Sequence, residues 1–177
     1  LLAIPLFVLA GEIMSKGGMS KRIVEFSKLL IGPLPGGLAM VVIISSVFFA
    51  ALTGTAIAAA AAIGGMLLPL MKKEGYDEGF SASLVASAAT VGPIIPPSII
   101  FILFGVMANQ SISDLFIGGV VPGILMGVGL MIYSYFVGKK EGYKSIDSFP
   151  PLKVILLGFK DAVLALLMPA IIIGGIV

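Results

Sequence analysis

The segment Gly92-Pro-Ile-Ile-Pro-Pro-Ser98 lies at the centre of 35 consecutive uncharged residues, Gly79 to Ser113. A run of that length suits a tilted membrane-spanning helix, yet three prolines forbid a continuous one. Proline has no N–H, and its ring clashes with the carbonyl four residues back. Pro93, Pro96 and Pro97 therefore release the carbonyls of Ala89, Gly92 and Pro93 from helical partners. In hydrocarbon, such carbonyls are tolerated only where protein buries them or where they line a wet cavity. Broken helices at mid-membrane are a common way for secondary transporters to build ion and substrate sites. The feature predicts part of a cation-coupled membrane transporter.

Composition agrees. Hydrophobic residues make up 59% of the chain and charged residues 11%, against about 25% charged residues in soluble domains. Mean hydropathy is +1.18. The expected class is an all-α polytopic protein whose solvent is the lipid bilayer. Cysteine and histidine are both absent, which excludes haem held by His, Cys-ligated clusters, disulfides and Ser-His-Asp or Cys-His devices within these residues. No G-x-x-x-x-G-K-[ST] loop is present to bind ATP. No nucleophile–base pair or metal cluster points to an enzyme, and a net charge of +2 gives no reason to expect nucleic acid. Both ends of the sequence fall within apolar runs, so residues 1–177 are expected to be one transmembrane unit cut from a longer chain.

Charges fall in a few clusters, Lys16–Lys28, Lys72–Glu78 and Lys139–Asp161, with Asp114 nearly alone. Residues 79–108 are expected to cross the membrane once, and 115–137 to cross back. The Asn109–Asp114 turn carries no Lys or Arg, so the positive-inside rule places the 72–78 and 139–153 loops in the cytoplasm. The basic 15–28 stretch, read as a loop after the end of a preceding helix, belongs there too. The 43 uncharged residues from Leu29 to Met71 must then enter and leave on one face. Gly32-Pro-Leu-Pro-Gly-Gly37 breaks the run early. The arms 38–52 and 56–71 reach roughly 22 and 24 Å at 1.5 Å per residue, short of a core of about 30 Å. The spacing predicts a re-entrant helical hairpin over about 38–71, tipped by Thr53-Gly54-Thr55. The residues from Val154 start a further helix, interrupted at Lys160-Asp161.

The tip and the break are read as one site. Thr53 and Thr55 bring hydroxyls, with Ser45 and Ser46 about two turns earlier, and Gly54 lets the backbone turn with positive φ. The break brings carbonyls around Gly92 and Pro93. These neutral oxygens match what a dehydrated Na⁺ needs. The half-helix starting at Pro97-Ser98 presents N–H groups and a positive dipole end, which suit a substrate carboxylate. The plainer account of each single hydroxyl is a bond to its own i−4 carbonyl or packing between helices. Three prolines at membrane depth have no such plain account. Glu12, four residues before Lys16, is expected to pair with it near an interface. Pro5, Pro69, Pro122 and Pro169 are expected to kink or end helices, and Gly123-x-x-x-Gly127 to be a helix-packing face.

The ordered series Ala51-Leu-Thr-Gly-Thr-Ala-Ile-Ala, Ala62-Ile-Gly, Pro69-Leu-Met, Glu74-Gly-Tyr, Gly92-Pro-Ile-Ile-Pro-Pro-Ser, Ser111-Ile-Ser-Asp-Leu-Phe and Val121-Pro-Gly resembles the large membrane subunit of tripartite ATP-independent periplasmic (TRAP) transporters, the DctM type. Ile4-Pro-Leu-Phe, Ala10-Gly-Glu-Ile-Met and Leu34-Pro-Gly-Gly-Leu fit as well. The resemblance implies secondary uptake of an organic acid, a C4-dicarboxylate or sialic-acid type, at the bacterial inner membrane; the alternatives are another ion-coupled organic-anion transporter of similar architecture without a binding protein, or a non-transporting structural membrane subunit. A periplasmic solute-binding protein would deliver the substrate, a small membrane subunit would be the partner, and Na⁺ would be the coupling ion, with no other cofactor. It also implies an elevator-type architecture of two inverted repeats, of which this chain matches the first. The same resemblance carries the first Na⁺ site to Thr53, Gly54, Thr55 and Gly92; with Pro93 from the break these are the candidate Na⁺ ligands, and Thr55, with Pro97 and Ser98 at the half-helix start, are the candidate substrate contacts. The family's tip is usually rich in Ser, whereas here Thr flanks the glycine on both sides.

Overall fold

A computed structural model describes residues 16–143 and, outside that stretch, Pro5, Leu9, Ile13, 150–151, 153–160, 162–163 and 167. Glu12, Asp161 and Pro169 lie outside the described residues.

Helix α1 spans Met19–Ile31, where the charge pattern alone reads as a cytoplasmic loop. Its apolar residues recur on one side, so Ile23, Val24 and Ser27 are buried while Lys21, Arg22 and Glu25 stay exposed. That amphipathic spacing makes a helix worth forming wherever a neighbour can cover one face. Gly32 and Pro33 end α1, and Gly36, at φ +67, redirects the chain.

Helix α2, Gly37–Thr53, is buried along nearly its whole length and forms the centre of the molecule. It is apolar on all sides because it has neighbours on all sides: α1, helices α3 (Ala56–Lys73), α4 (Glu78–Val91) and α6 (Ile112–Glu141), and the 3₁₀ turn Gly92–Ile94. Helix α3 runs back along α2 and buries Ala59, Ile63, Leu67 and Met71, one residue per turn. It is 18 residues long, roughly 27 Å. Pro69 and Pro122 both lie inside helices that continue past them.

Asp77 caps α4, its Oδ1 accepting the Phe80 N–H at 2.7 Å. The α4 helix stops at Val91, the 3₁₀ turn follows, and after an extended stretch containing a cis Pro96–Pro97 bond helix α5 runs over Ile99–Ala108. The two parts are bent by 44°. Asn109, in the left-handed region at φ 50, ends α5, and the Ser111 hydroxyl caps α6. The α6 helix has 30 residues, about 45 Å. By length and composition α3 and α6 are apolar enough to cross a membrane, and α4 with α5 makes a third span if the bent pair is one. Every element of the described residues is helical, the signature of a multi-pass helical membrane protein.

At the end of the molecule where α2 begins, Tyr76 is only 4% exposed. Its ring stacks on Tyr143 at 3.9 Å and on Phe80 at 6.4 Å. The Tyr143 hydroxyl accepts the Asp77 N–H at 3.2 Å. The Tyr76 hydroxyl is enclosed without a hydrogen bond of good geometry, beside the first-turn N–H groups of Leu38 and Ala39. Burial pushes its phenol up to about 12, against the smaller opposing pull of those N–H groups. Nearby, a methyl on Gly138 would come within 2.5 Å of the Gly36 Cα. The start of α2 is thus clamped to the α3–α4 loop and to the end of α6.

Candidate functional site

The tip of the α2–α3 hairpin is Thr53-Gly54-Thr55. Thr53 is 5% exposed, so the turn is enclosed by protein and not held out in solvent. Gly54 ends α2 at φ +66, a conformation in which an L side chain is strained. Thr55 is extended and begins α3, its Oγ1 accepting the Ala58 N–H at 3.1 Å. Thr53 Oγ1 donates to Phe49 O at 2.9 Å and lies 3.4 Å from Thr55 O. Both hydroxyls therefore do the local work that Ser and Thr commonly do in membrane helices. A hydroxyl has one proton and two acceptor lone pairs. With its proton directed at Phe49 O, Thr53 Oγ1 keeps its lone pairs for another donor or for a cation.

The helix break comes up against this tip. A methyl on Gly92 would run into the Ala50 Cβ and come within 3.0 Å of both Ala50 Cα and Val47 O. Ala50 is three residues before Thr53, about 4.5 Å along the helix axis. Two helix C-termini, those of α2 at Thr53 and α4 at Val91, thus meet within one turn. Each carries the negative end of a helix dipole, so the region favours a cation electrostatically before any side chain is counted. Ser45 and Ser46, further down α2, are fully buried with no hydrogen-bond partner.

Not every expected oxygen is free. The Gly92 carbonyl accepts the Ile95 N–H at 3.0 Å, closing the 3₁₀ turn, so of the three carbonyls that the prolines were expected to release, this one is re-paired locally. The Ser98 hydroxyl caps α5 by accepting the Phe101 N–H at 3.3 Å. Pro97 and Ser98 are both buried, so the N-terminus of α5 is enclosed. The structure brings Gly92 and Pro93 to the α2 end of the hairpin; Pro97 and Ser98 follow the extended stretch on its far side.

The back of the break leans on α6. A methyl on Gly119 would strike Ile94 O and Phe101, and one on Gly123 would strike Ile95. Gly127 has nothing within 4 Å of that position, so the close-packed pair is Gly119 with Gly123, a second small-x-x-x-small spacing, and not Gly123 with Gly127. A cavity of about 340 Å³ lies beside the break, lined by residues including Ile43, Val47, Ile95 and Met131. Its lining is apolar and offers nothing to recognise an organic anion. Among the described residues no three His, Cys, Asp or Glu side chains gather. The oxygens around the tip are neutral.

A buried hairpin tip meeting a proline-broken helix, in a protein with two or three apolar spans, defines a membrane protein of the broken-helix kind found among secondary transporters. The whole chain, residues 1–177, matches the family described as "Tripartite ATP-independent periplasmic transporter, DctM component", and it belongs to that family of transporter components, not of enzymes. It is 46% identical, over 99% of its length, to a putative TRAP transporter large permease protein of Haemophilus influenzae. It is 44% identical to the isethionate TRAP transporter permease protein DctMQ of Oleidesulfovibrio alaskensis and 43% identical to the 2,3-diketo-L-gulonate TRAP transporter large permease protein YiaN of Escherichia coli, each again over 99% of the chain. The chain spans 41%, 28% and 41% of the lengths of these three relatives.

Proposed function

We propose that this chain is the first inverted repeat of the large permease subunit of a TRAP transporter. In this reading it sits in the bacterial inner membrane and carries out Na⁺-coupled uptake of an organic acid handed over by a periplasmic solute-binding protein, beside a small membrane subunit. The names of relatives give the last point its support, since one is called permease protein DctMQ. The observation that carries the coupling is the meeting of the Thr53-Gly54-Thr55 tip with Gly92 across Ala50.

Na⁺, as a transported ion, would bind Thr53 Oγ1, backbone oxygens of Thr53, Gly54 and Pro93, and the lone pair of the Gly92 carbonyl that the Ile95 N–H leaves over, with the Thr55 hydroxyl alongside. The donor set fits a monovalent cation. Its oxygens are neutral, two helix C-termini lend partial negative charge, and the Thr53 proton is already directed elsewhere. The α2 arm, 17 residues or roughly 26 Å, is shorter than a core of about 30 Å, which supports a re-entrant hairpin over the full crossing that α3 is long and apolar enough to make. The substrate carboxylate would meet the N–H groups at the start of α5, next to Pro97 and Ser98, once that end opens.

The test is uptake by the full-length permease in proteoliposomes with its partner subunit and binding protein. Substrate-dependent entry of radiolabelled Na⁺ should drop sharply in Thr53→Val and in Gly54→Ala, while Thr53→Ser keeps it. Undiminished Na⁺ coupling in Thr53→Val would remove this tip from the ion site.

A further inference from the structure

We infer that the outward side of α4 is a wet face along which the transported cation passes between the hairpin tip and the cytoplasm. This route presupposes the ion site proposed above, and such a site needs one. Ala82, Ser83, Ala86, Ser87 and Thr90 are exposed, and at helical spacing they share one side of α4. Leu84, Val85, Ala88 and Ala89 are buried on the other side, where α4 packs on α2 and α3. Three of the five exposed residues carry hydroxyls, and they lie within the uncharged run from Gly79 to Ser113. Ser83 Oγ donates to Phe80 O at 2.9 Å, and Thr90 Oγ1 donates to Ser87 O at 2.7 Å. With these protons turned back onto the helix, the oxygen lone pairs remain for water or for a cation.

Both ends of the face lead where a route must lead. Thr90 is two residues before Gly92, which lies against Ala50 beneath the tip. At the other end a depression of about 390 Å³ lies between the end of α3 and the start of α4, lined by residues including Lys72, Glu78, Ser81 and Ala82. Twelve positions separate Thr90 from Glu78, roughly 18 Å of helix, and the charges of the 72–78 loop place it in the cytoplasm. The remaining surfaces that join the tip to this end offer a cation nothing. Helix α2 is buried along nearly its whole length. The cavity between α2 and α6 is lined by apolar side chains and glycine. The exposed side of α3 presents Ile57, Ala61, Gly65 and Met66, without a side-chain oxygen. A cation that sheds water against such groups finds no replacement ligand, whereas α4 supplies a hydroxyl at every turn from Ser83 to Thr90. The exposed sides of α5 and α6 are also different in kind, with large apolar groups such as Ile100, Met107, Val121 and Leu125 that suit hydrocarbon. Among the described residues none of the exposed large apolar side chains belongs to α4.

Residues 1–177 contain no cysteine, so single cysteines can report on this face in the full-length permease once any others are replaced. A membrane-impermeant cationic methanethiosulfonate is added to the cytoplasmic side of inside-out vesicles. Only a thiolate reacts, and an apolar environment keeps a thiol protonated. Ser83→Cys, Ser87→Cys and Thr90→Cys should react at least about tenfold faster than Val121→Cys and Leu125→Cys on α6, a ratio that one unit of thiol pKa supplies. In proteoliposomes, the cationic adduct at Ser87→Cys should cut substrate-dependent Na⁺ entry by on the order of tenfold, because a fixed positive charge repels a cation passing beside it. The neutral methyl adduct at the same position should cut it far less. Labelling on α4 no faster than on α6 would overturn the inference, by showing this face covered by protein or lipid. Na⁺ entry that survives the cationic adduct would overturn it as well, by showing a wet face that is not the route. Neither result alters the outcome expected of Thr53→Val, so failure of the route and failure of the ion site are told apart.

Discussion

Replacing Gly92 with alanine tests the contact on which the proposed site depends. The backbone at Gly92 is helical, with φ −55 and ψ −48, so an alanine there meets no conformational objection and would normally gain about 1 kcal/mol over glycine. The obstacle is tertiary. The new methyl would collide with the Ala50 Cβ, and Ala50 Cα and Val47 O stand only 3.0 Å from it. Ala50 has no rotamer by which to retreat, and backbone must shift. Overpacking of this kind costs about 1–3 kcal/mol, which leaves a net loss of roughly 0–2 kcal/mol after the propensity gain, and a deficit of about 1–3 kcal/mol relative to a Gly→Ala change that meets open space. Two companion variants isolate the cause. Gly127→Ala points into open space on α6 and should be neutral or stabilising. Moving the methyl from one partner to the other, in Ala50→Gly with Gly92→Ala, should recover part of the loss, with a coupling on the order of 1 kcal/mol. Recovery stays incomplete because Val47 O remains close and because glycine within α2 itself costs about 1 kcal/mol. The assay is thermal unfolding of the purified full-length permease, paired with substrate uptake in proteoliposomes. A Gly92→Ala protein as stable and active as Gly127→Ala would refute the packing of the break on the hairpin.

Thr55→Ala and Ser98→Ala each remove an N-cap hydroxyl and should lower stability by about 1 kcal/mol; equal melting of variant and wild type would contradict the capping geometry. Gly138→Ala brings a methyl to 2.5 Å from the Gly36 backbone, with no flexible side chain to give way, and should lower the melting temperature more than Gly129→Ala, which has open space. Tyr76 makes stability fall at high pH. Its folded pKa of about 12 exceeds the ordinary 10, so its contribution is complete below pH 10 and is lost between 10 and 12, on the order of 2 kcal/mol in all. A melting-temperature series over that range should be shallower for Tyr76→Phe than for wild type, and parallel slopes would show that another group titrates.

The sequence alone determined that the chain is helical, apolar and bound to a bilayer, and that it cannot run straight through Gly92–Ser98. Those conclusions rest on local chemistry: a proline has no N–H wherever it sits, and a long uncharged run needs hydrocarbon or a protein interior around it. The glycine between two threonines was legible for the same reason, since Gly54 needs no partner to adopt φ +66. What became of the released oxygens was not legible. Whether a carbonyl stays free depends on which N–H comes within reach after the chain bends, and Ile95 reaches Gly92 only because the backbone closes a 3₁₀ turn there. The charge clusters showed that 16–28 is basic but not that it is helical, because the face that stabilises α1 is covered by α2, and a local pattern does not announce its cover. Likewise Gly119, Gly123 and Gly127 look equivalent along the chain, and only the position of Ile94, Ile95 and Phe101 distinguishes the two that are packed from the one that is not. Tertiary structure decided the matter of proximity, above all that Ala50 and Gly92, 42 positions apart in the sequence, leave no room between them for a methyl group.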